Sequence, residues 1–135
     1  MRRMLAIVCT ATAVFLAGCG SDDSTGPTQS VAGTWNLTTV NGSPLPFTIQ
    51  ATPKIEVLSD QLVVSANGTF TESTQTRTTN GTSVSLQTLP DGGTYTLNGT
   101  AATFIFNDGT TGAGTVTGTG LIVAFPGVSL SYQKQ

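Results

Sequence analysis

Turn signals divide most of this chain into short segments that only hairpins can connect. Asn-Gly and Asp-Gly pairs recur along it, and such pairs favour the positive φ angles that two-residue hairpin turns require. After Gly68 the turns follow one another at about 7 to 13 residues, a spacing typical of an antiparallel meander. The predicted turns are Asn41-Gly42, Asn67-Gly68, Asn80-Gly81, Asp91-Gly92, Asn98-Gly99, Asp108-Gly109, Gly118/Gly120 and Pro126-Gly127.

Between the turns, apolar and polar residues alternate with a period of two, as they do in half-buried strands. The alternation predicts strands at roughly 32–40, 54–65, 69–79, 82–89, 93–97, 101–106, 111–118, 120–125 and 128–134. The proline-containing stretch 43–53 predicts a long connection instead, because proline cannot donate to a sheet. Phe47 and Ile49 in this stretch are candidates for a flap over one end of the fold.

These strands predict an all-β domain, since residues 31–135 contain no long stretch of helical periodicity. A meander of about eight or nine strands must hide two sheet edges, and closing it into an antiparallel up-and-down barrel removes both. A β-sandwich is the alternative. The short sequential hairpins favour the barrel, because sandwiches usually need longer crossover connections.

The residues in phase with the interior predict either a filled core or a partly open apolar cavity. They are Trp35, Leu37, Phe70, Tyr95, Leu97, Phe104, Phe106, Ile122, Val128, Leu130 and Tyr132. If the cavity exists, we expect six residues to line it near its mouth and bind a ligand there. These six are Phe47, Phe70, Glu72, Tyr95, Phe104 and Tyr132.

The N-terminal segment has the pattern of a secretory signal. Arg2 and Arg3 precede an apolar run from Leu5 to Ala17, which is too short to span a bilayer comfortably. A buried first helix or a short membrane anchor is the alternative. Residues 20–30 are polar, contain Gly and Pro, and predict a flexible tether.

The residues that end this segment, Leu16-Ala17-Gly18-Cys19, resemble the lipobox of bacterial lipoproteins. The resemblance implies removal of residues 1–18, acylation of Cys19, and a membrane as partner through the acyl chains. Gly20 follows the cysteine, which favours the outer membrane of a cell envelope with two membranes. Ordinary cleavage beside an incidental cysteine is the alternative. The predicted organisation is a signal peptide (1–18), an acylated cysteine and tether (19–30), and a barrel domain (31–135).

A second resemblance covers residues 32–134. The motifs Gly33-Thr34-Trp35, Asn41-Gly42-Ser43-Pro44-Leu45-Pro46, Gly68-Thr69-Phe70, Gly93-Thr94-Tyr95 and Tyr132-Gln133-Lys134 resemble, in this order, short lipocalin-like lipoproteins of the calycin group. The resemblance implies that Trp35, preceded by Gly33, plugs one end of the barrel. It also implies that Lys134 packs over the indole, where lipocalins usually have an arginine.

The composition excludes several kinds of chemistry. The chain has no histidine, and both cysteines lie at or before position 19, so Ser-His, Cys-His and His-metal sites are excluded from the folded part. We therefore expect no catalytic residue, no cofactor and no metal site. From Cys19 onward the chain has three basic and seven acidic residues, which makes nucleic acid an unsuitable partner.

Glu72 is the acidic residue of most interest. It alternates in phase with Phe70, so its carboxyl points either inward, beside Thr74 and Thr76, or to water at the mouth. The expected function is a non-enzymatic envelope lipoprotein that binds a small apolar or amphipathic ligand. The alternatives are a structural or protein-interaction module with a filled barrel, its protein partner unknown, and an enzyme that uses Glu72 as acid or base.

Overall fold

A computed structural model describes residues 30–135 of the chain. The predicted signal peptide, the lipidation site Cys19 and nearly all of the tether lie outside the described residues. Within residues 30–135 every regular element is a strand, and this part of the chain contains no helix that could cross a membrane. The strands are β1 (Gly33–Val40), β2 (Ser43–Pro44), β3 (Phe47–Ala51), β4 (Lys54–Val64), β5 (Thr69–Asn80), β6 (Ser83–Asn98), β7 (Ala101–Phe106), β8 (Thr111–Thr117), β9 (Gly120–Phe125) and β10 (Val128–Lys134).

The strands form one antiparallel sheet that closes on itself. Consecutive strands pair from β4 to β10, β10 pairs with β1, and β1 pairs with β4. Trp35 lies in the closing strand, opposite Lys134 on one side and Leu62 on the other. The result is a closed eight-stranded barrel, which confirms the predicted fold class and excludes the sandwich.

The barrel has two ends, which differ in how the chain covers them. The lower end is where β1 begins at Gly33, and the upper end is where the β5–β6 hairpin turns. At the upper end β1 and β4 no longer pair, and β2 and β3 occupy the space between them. The stretch predicted as a connection thus includes two short strands, and both lie at the ends of the strand order.

β6 differs from its prediction. The sequence predicted two strands, 82–89 and 93–97, with a turn at Asp91-Gly92, but β6 is continuous. Its residues pair with β5 without interruption, and a Cβ on Gly92 would lie 2.8 Å from the Phe70 carbonyl oxygen. The glycine therefore permits close approach of two strands and makes no turn.

Because β7 pairs with β6 only from Gly93 downward, the upper part of the β5–β6 hairpin rises above its neighbour on that side. We call residues 75–91 the projecting hairpin. Val84 and Leu86 on its outer face are 62% and 64% exposed.

The core is centred in the lower part of the barrel, around Trp35, Leu62 and Phe104, and Leu37 and Val40 extend it upward. Ile122 was predicted to face inward, but it is 48% exposed. Its apolar neighbours Leu121 and Val123 take the inward positions instead, so Ile122 faces out. Since residues 30–135 close their own sheet around their own core, we expect this part of the chain to fold by itself.

Candidate functional site

The lower end of the barrel is sealed around the indole of Trp35. Trp35 is fully buried, and its Nε1 donates a hydrogen bond of 2.7 Å to the Val31 carbonyl oxygen. The Lys134 Nζ lies 5.2 Å from the indole centroid and donates to the Ser30 carbonyl oxygen at 3.1 Å. Gly33 has a φ of +137°, and a Cβ there would lie 2.6 Å from the Lys134 Cε. These contacts hold the seal together and leave this end closed.

The upper half of the barrel is hollow. Two adjoining cavities of about 430 Å³ and 190 Å³ share Glu72, Val128 and Leu130 in their walls. The larger cavity is further lined by two aromatic rings and three polar residues: Phe106, Phe125, Asp91, Asp108 and Thr110. The smaller cavity lies under the β2–β3 segment and is further lined by Leu37, Val40, Asn41, Phe47, Ile49, Val57, Asp60 and Thr74.

Two carboxyl groups and a phenol meet where the cavities adjoin. Asp60 and Thr74 face each other on β4 and β5, and Glu72 precedes Thr74 by one inward position. The Tyr132 hydroxyl, on β10, donates to Asp60 Oδ2 at 2.6 Å and lies 3.4 Å from Glu72 Oε1. Thr74 Oγ1 donates to Asp60 Oδ1 at 3.1 Å. Asp60 and Tyr132 are 4% and 3% exposed, so this cluster lies inside the barrel.

Burial changes the protonation of this cluster. Desolvation is the largest cause that raises the pKa of Glu72 to about 8, and the charge of Asp60 adds to it. Desolvation also raises the pKa of Asp60, against hydrogen bonds from Tyr132 and Thr74 that stabilise its anion. Burial moves the pKa of Tyr132 above its ordinary value. Glu72 therefore keeps its proton at neutral pH, and Tyr132 remains a hydrogen-bond donor to Asp60.

The charged groups along the cavities are all acidic. Asp91 is paired with Glu72 across β5 and β6, and Asp108 lies in the turn between β7 and β8. Asp108 Oδ1 accepts a 2.8 Å hydrogen bond from the Thr110 amide, and this bond lowers the pKa of Asp108. In the described part of the chain, no three acidic or cysteine side chains form a group that could hold a metal ion.

The basic residues of the described chain lie elsewhere. Lys54 and Arg77 each approach Glu56 to 2.7 Å, on the face of the sheet opposite Val57. Hydrogen bonds, from Lys54 first and then from Arg77, lower the pKa of Glu56. Lys134 is at the sealed lower end. Between residues 30 and 135, no lysine or arginine lines either cavity.

The structure brings three of the six predicted ligand-binding residues to the hollow half. Phe47 and Glu72 line cavities, and Tyr132 lies beside Glu72. Of the two orientations considered for Glu72, the inward one is observed.

The other three lie lower, so their predicted place at the mouth is wrong. Phe70 and Phe104 are buried and pack edge to face with centroids 5.3 Å apart. The Tyr95 hydroxyl donates at 2.7 Å to the Ser65 carbonyl oxygen, in the turn between β4 and β5 at the lower end. These aromatic rings form the floor beneath the cavities.

Asp60, Phe106 and Phe125 are site residues that the sequence prediction did not select. Asp60 carried a usable signal, because it is in phase with Leu62 and Val64 and so occupies an inward position of its strand. A bulge between Val57 and Ser59 interrupts the alternation just before it. A single acidic residue at a strand position that is otherwise apolar and inward is therefore a candidate interior group.

Comparison with known proteins bears on the fold. Residues 31–120 match the sequence model of the lipocalin-like domain, which is well over half of the chain. Searches of curated proteins and of solved structures find no significant match. The matched stretch includes the seal residue Trp35 and both carboxyl groups of the interior cluster, Asp60 and Glu72.

Proposed function

This chain belongs to the lipocalin-like family, and from that premise we propose that it is a non-enzymatic envelope lipoprotein whose barrel binds a small apolar or amphipathic molecule. The observation that carries the proposal is the hollow upper half of a barrel that is closed below. A volume of about 430 Å³ is within the range of small-molecule sites. Lipocalin-like proteins are generally binders without enzymatic activity, which supports the same conclusion.

The walls favour binding over a filled structural core. Aromatic and aliphatic side chains make up most of both cavities, and the few polar groups converge on one place. A small number of polar groups on an apolar wall is the usual composition of a ligand site, because the wall supplies affinity and the polar groups fix orientation. The largest fully buried side chains, among them Trp35, Leu62 and Phe104, line neither cavity and fill the barrel below them.

The proposed anchor fits the direction in which the barrel opens. The chain enters the barrel at its lower end through Val31, on the side opposite the cavities. An acylated Cys19 would thus attach the chain to a membrane from the sealed end and leave the open end unobstructed by the tether. Two or three acyl chains make such an anchor durable, since each buried CH₂ contributes about 0.8 kcal/mol. The tether of residues 20–30 spans about 17–20 Å, enough to clear the lipid headgroups.

Binding is tested with the soluble domain Ser21–Gln135. Native mass spectrometry after expression would show a co-purified ligand, and the neutral dye N-phenyl-1-naphthylamine would report an apolar site by its fluorescence. We expect saturable dye binding by the native domain and its loss in Leu130→Trp, because Leu130 lines both cavities. The matched control Ile122→Trp puts the same ring on the outer face and should bind normally. No dye binding and no co-purified ligand would contradict the proposal.

The anchor needs a separate test in the full chain. Expressed in a bacterial host with two membranes, the native chain should incorporate a palmitate analogue and fractionate with the outer membrane. The Cys19→Ser variant should lose both the label and the membrane fraction. Labelling that persists without Cys19, or a native chain that remains unlabelled, would show that the lipobox assignment is wrong.

A protein-interaction role is the second candidate, and the projecting hairpin favours it. Val84 and Leu86 place two large apolar side chains in water, on a strand whose edge above Gly93 has no neighbour from β7. A photo-crosslinking residue at position 86 should capture a protein in cells under this candidate. If only the barrel itself is recovered, this candidate is excluded.

A further inference from the structure

Glu72 is the polar side chain common to both cavities. Its carboxyl lies at their junction, with apolar wall on either side from Val128 and Leu130. A ligand that occupied either cavity would therefore meet this carboxyl. The head of an amphipathic ligand is consequently placed at Glu72, and its apolar body is placed against the aromatic wall.

The groups that face Glu72 come from three other strands. Asp60 on β4 lies on one side, Asp91 on β6 is its cross-strand partner, and the Tyr132 hydroxyl on β10 is 3.4 Å from its Oε1. Asp108 lines the same larger cavity. All four charged or ionisable carboxyl groups have the same sign when ionised, and the phenol is neutral.

This arrangement discriminates strongly by charge. An anionic head at Glu72 would be desolvated beside carboxyl groups, with no lysine or arginine from residues 30–135 in the cavity walls to pair with it. A cationic head would find several carboxylate oxygens. Phe106 and Phe125, whose ring centroids are 5.7 Å apart, line the larger cavity together with Glu72 and offer apolar surface to the body of the ligand.

Building on the proposed ligand-binding function, we infer that the ligand is an organic cation, an ammonium group on an apolar body, and that it exchanges for the proton of the Asp60–Glu72 pair. The ammonium nitrogen approaches the two carboxyl groups, and the carboxylic acid O–H of the pair breaks. That proton leaves to water. The net reaction takes in one cation and releases one proton, so the charge of the cluster with its occupant is unchanged.

Protonation in the free protein supports the exchange. The pKa of Glu72 is about 8, so near neutral pH this carboxyl holds a proton that an arriving cation can displace. Binding of the cation should therefore tighten as pH rises from 6 to 8. Above that range the proton has already left, and the pH dependence should level off.

The test uses three ligands with the same eight-carbon chain and different heads: octylammonium, octanol and octanoate. Each is titrated into the domain Ser21–Gln135 by calorimetry at pH 7. We expect octylammonium to bind at least tenfold more tightly than either of the others. Octanol or octanoate binding as tightly as octylammonium would overturn the inference and leave the proposed function standing. Binding of none of the three would contradict both.

Proton release is measured in the same titration, repeated in two buffers of different ionisation enthalpy. Octylammonium should release close to one proton at pH 7. Glu72→Gln should abolish the release and reduce the preference over octanol to within about threefold, and its unchanged circular dichroism would show that it is folded. The control Glu56→Gln alters a carboxyl on the outer face and should retain both properties. A Glu72→Gln variant that keeps the full preference, or a native domain that releases no proton, would overturn the inference.

Discussion

The two halves of this barrel are built from the same eight strands, yet they serve opposite purposes. The lower half is packed around a fully buried indole and an edge-to-face phenylalanine pair, and every polar atom of that indole is hydrogen-bonded. The upper half keeps a space open and places two carboxyl groups in it. A sequence can therefore close a barrel without filling it along its whole length.

Placing two carboxyl groups in the hollow half reduces the stability of the folded barrel. Burying Asp60 and Glu72 raises both pKa values, which means that folding works against their charged forms. The lower half compensates through large apolar side chains, and a fully buried Leu or Phe contributes about 1.5–3 kcal/mol. The lower half thus stabilises the barrel, and the upper half contains the proposed ligand site.

Removing the seal at the lower end should have the largest effect on the stability of the barrel. Trp35→Ala should cost about 3–5 kcal/mol, the range for large-to-small changes of a buried aromatic residue. Thermal unfolding followed by circular dichroism should show a melting temperature lower by 10 °C or more. An unchanged melting temperature would mean that the indole is not part of the core.

A pH series tests the opposite half. An acid whose pKa is higher in the folded than in the unfolded chain binds more protons when folded, so the free energy of unfolding should fall as pH rises from about 4.5 to about 8. Urea unfolding at pH 5 and pH 8 should show a lower midpoint at pH 8. The Glu72→Gln variant should show a smaller decrease, because it carries no such proton. If the urea midpoint falls equally in both proteins between pH 5 and pH 8, the Glu72 carboxyl is exposed to water.

Adding side-chain volume to the packed lower half should destabilise the protein, whereas the upper half contains cavities. A Cβ on Gly114 would lie 2.7 Å from the Phe104 ring, so Gly114→Val should cost about 1–3 kcal/mol by overpacking. The neighbouring Ala113→Val adds the same kind of bulk on the exposed face and serves as the control. Similar unfolding midpoints for the two variants would show that Phe104 does not press against this strand.

The smallest effect is expected at the rim of the seal. Lys134→Met keeps an unbranched apolar stem over the indole and removes the ammonium, so it should cost about 0.5–1 kcal/mol. Chemical denaturation resolves such a difference, and ligand binding should be unaffected. A change in ligand affinity instead would link the two ends and contradict their separation.

Much of the fold was predictable because its signals are local. Turn pairs such as Asn80-Gly81 and the two-residue alternation specify hairpins and faces. The turn predicted at Asp91-Gly92 was wrong because a glycine also permits two strands to approach closely. Only the pairing with Phe70 and its neighbours distinguishes a turn from such an approach. The inward placement of Ile122 was wrong because Leu121, Ile122 and Val123 are consecutive apolar residues, so the sequence does not decide which of them face inward.

Less of the site was predictable, for a physical reason. Alternation tells which face a side chain occupies but not its height along the barrel, which depends on the stagger between strands. Glu72 was considered as an inward residue on alternation alone. Tyr95 and Phe104 were placed at the wrong level, and Asp60 was not selected although it is in phase with Leu62 and Val64. The charge of the cavity thus became apparent only when four strands were brought together.

The most direct test of the hollow, acid-lined upper half is a carboxyl ¹³C NMR titration of Glu72 in the folded domain, with and without octylammonium. Glu72 should titrate near pH 8 in the free domain and at clearly lower pH when the cation is bound. A Glu72 carboxyl that titrates near its ordinary 4.5 in the free domain would show it exposed to water and would contradict the account.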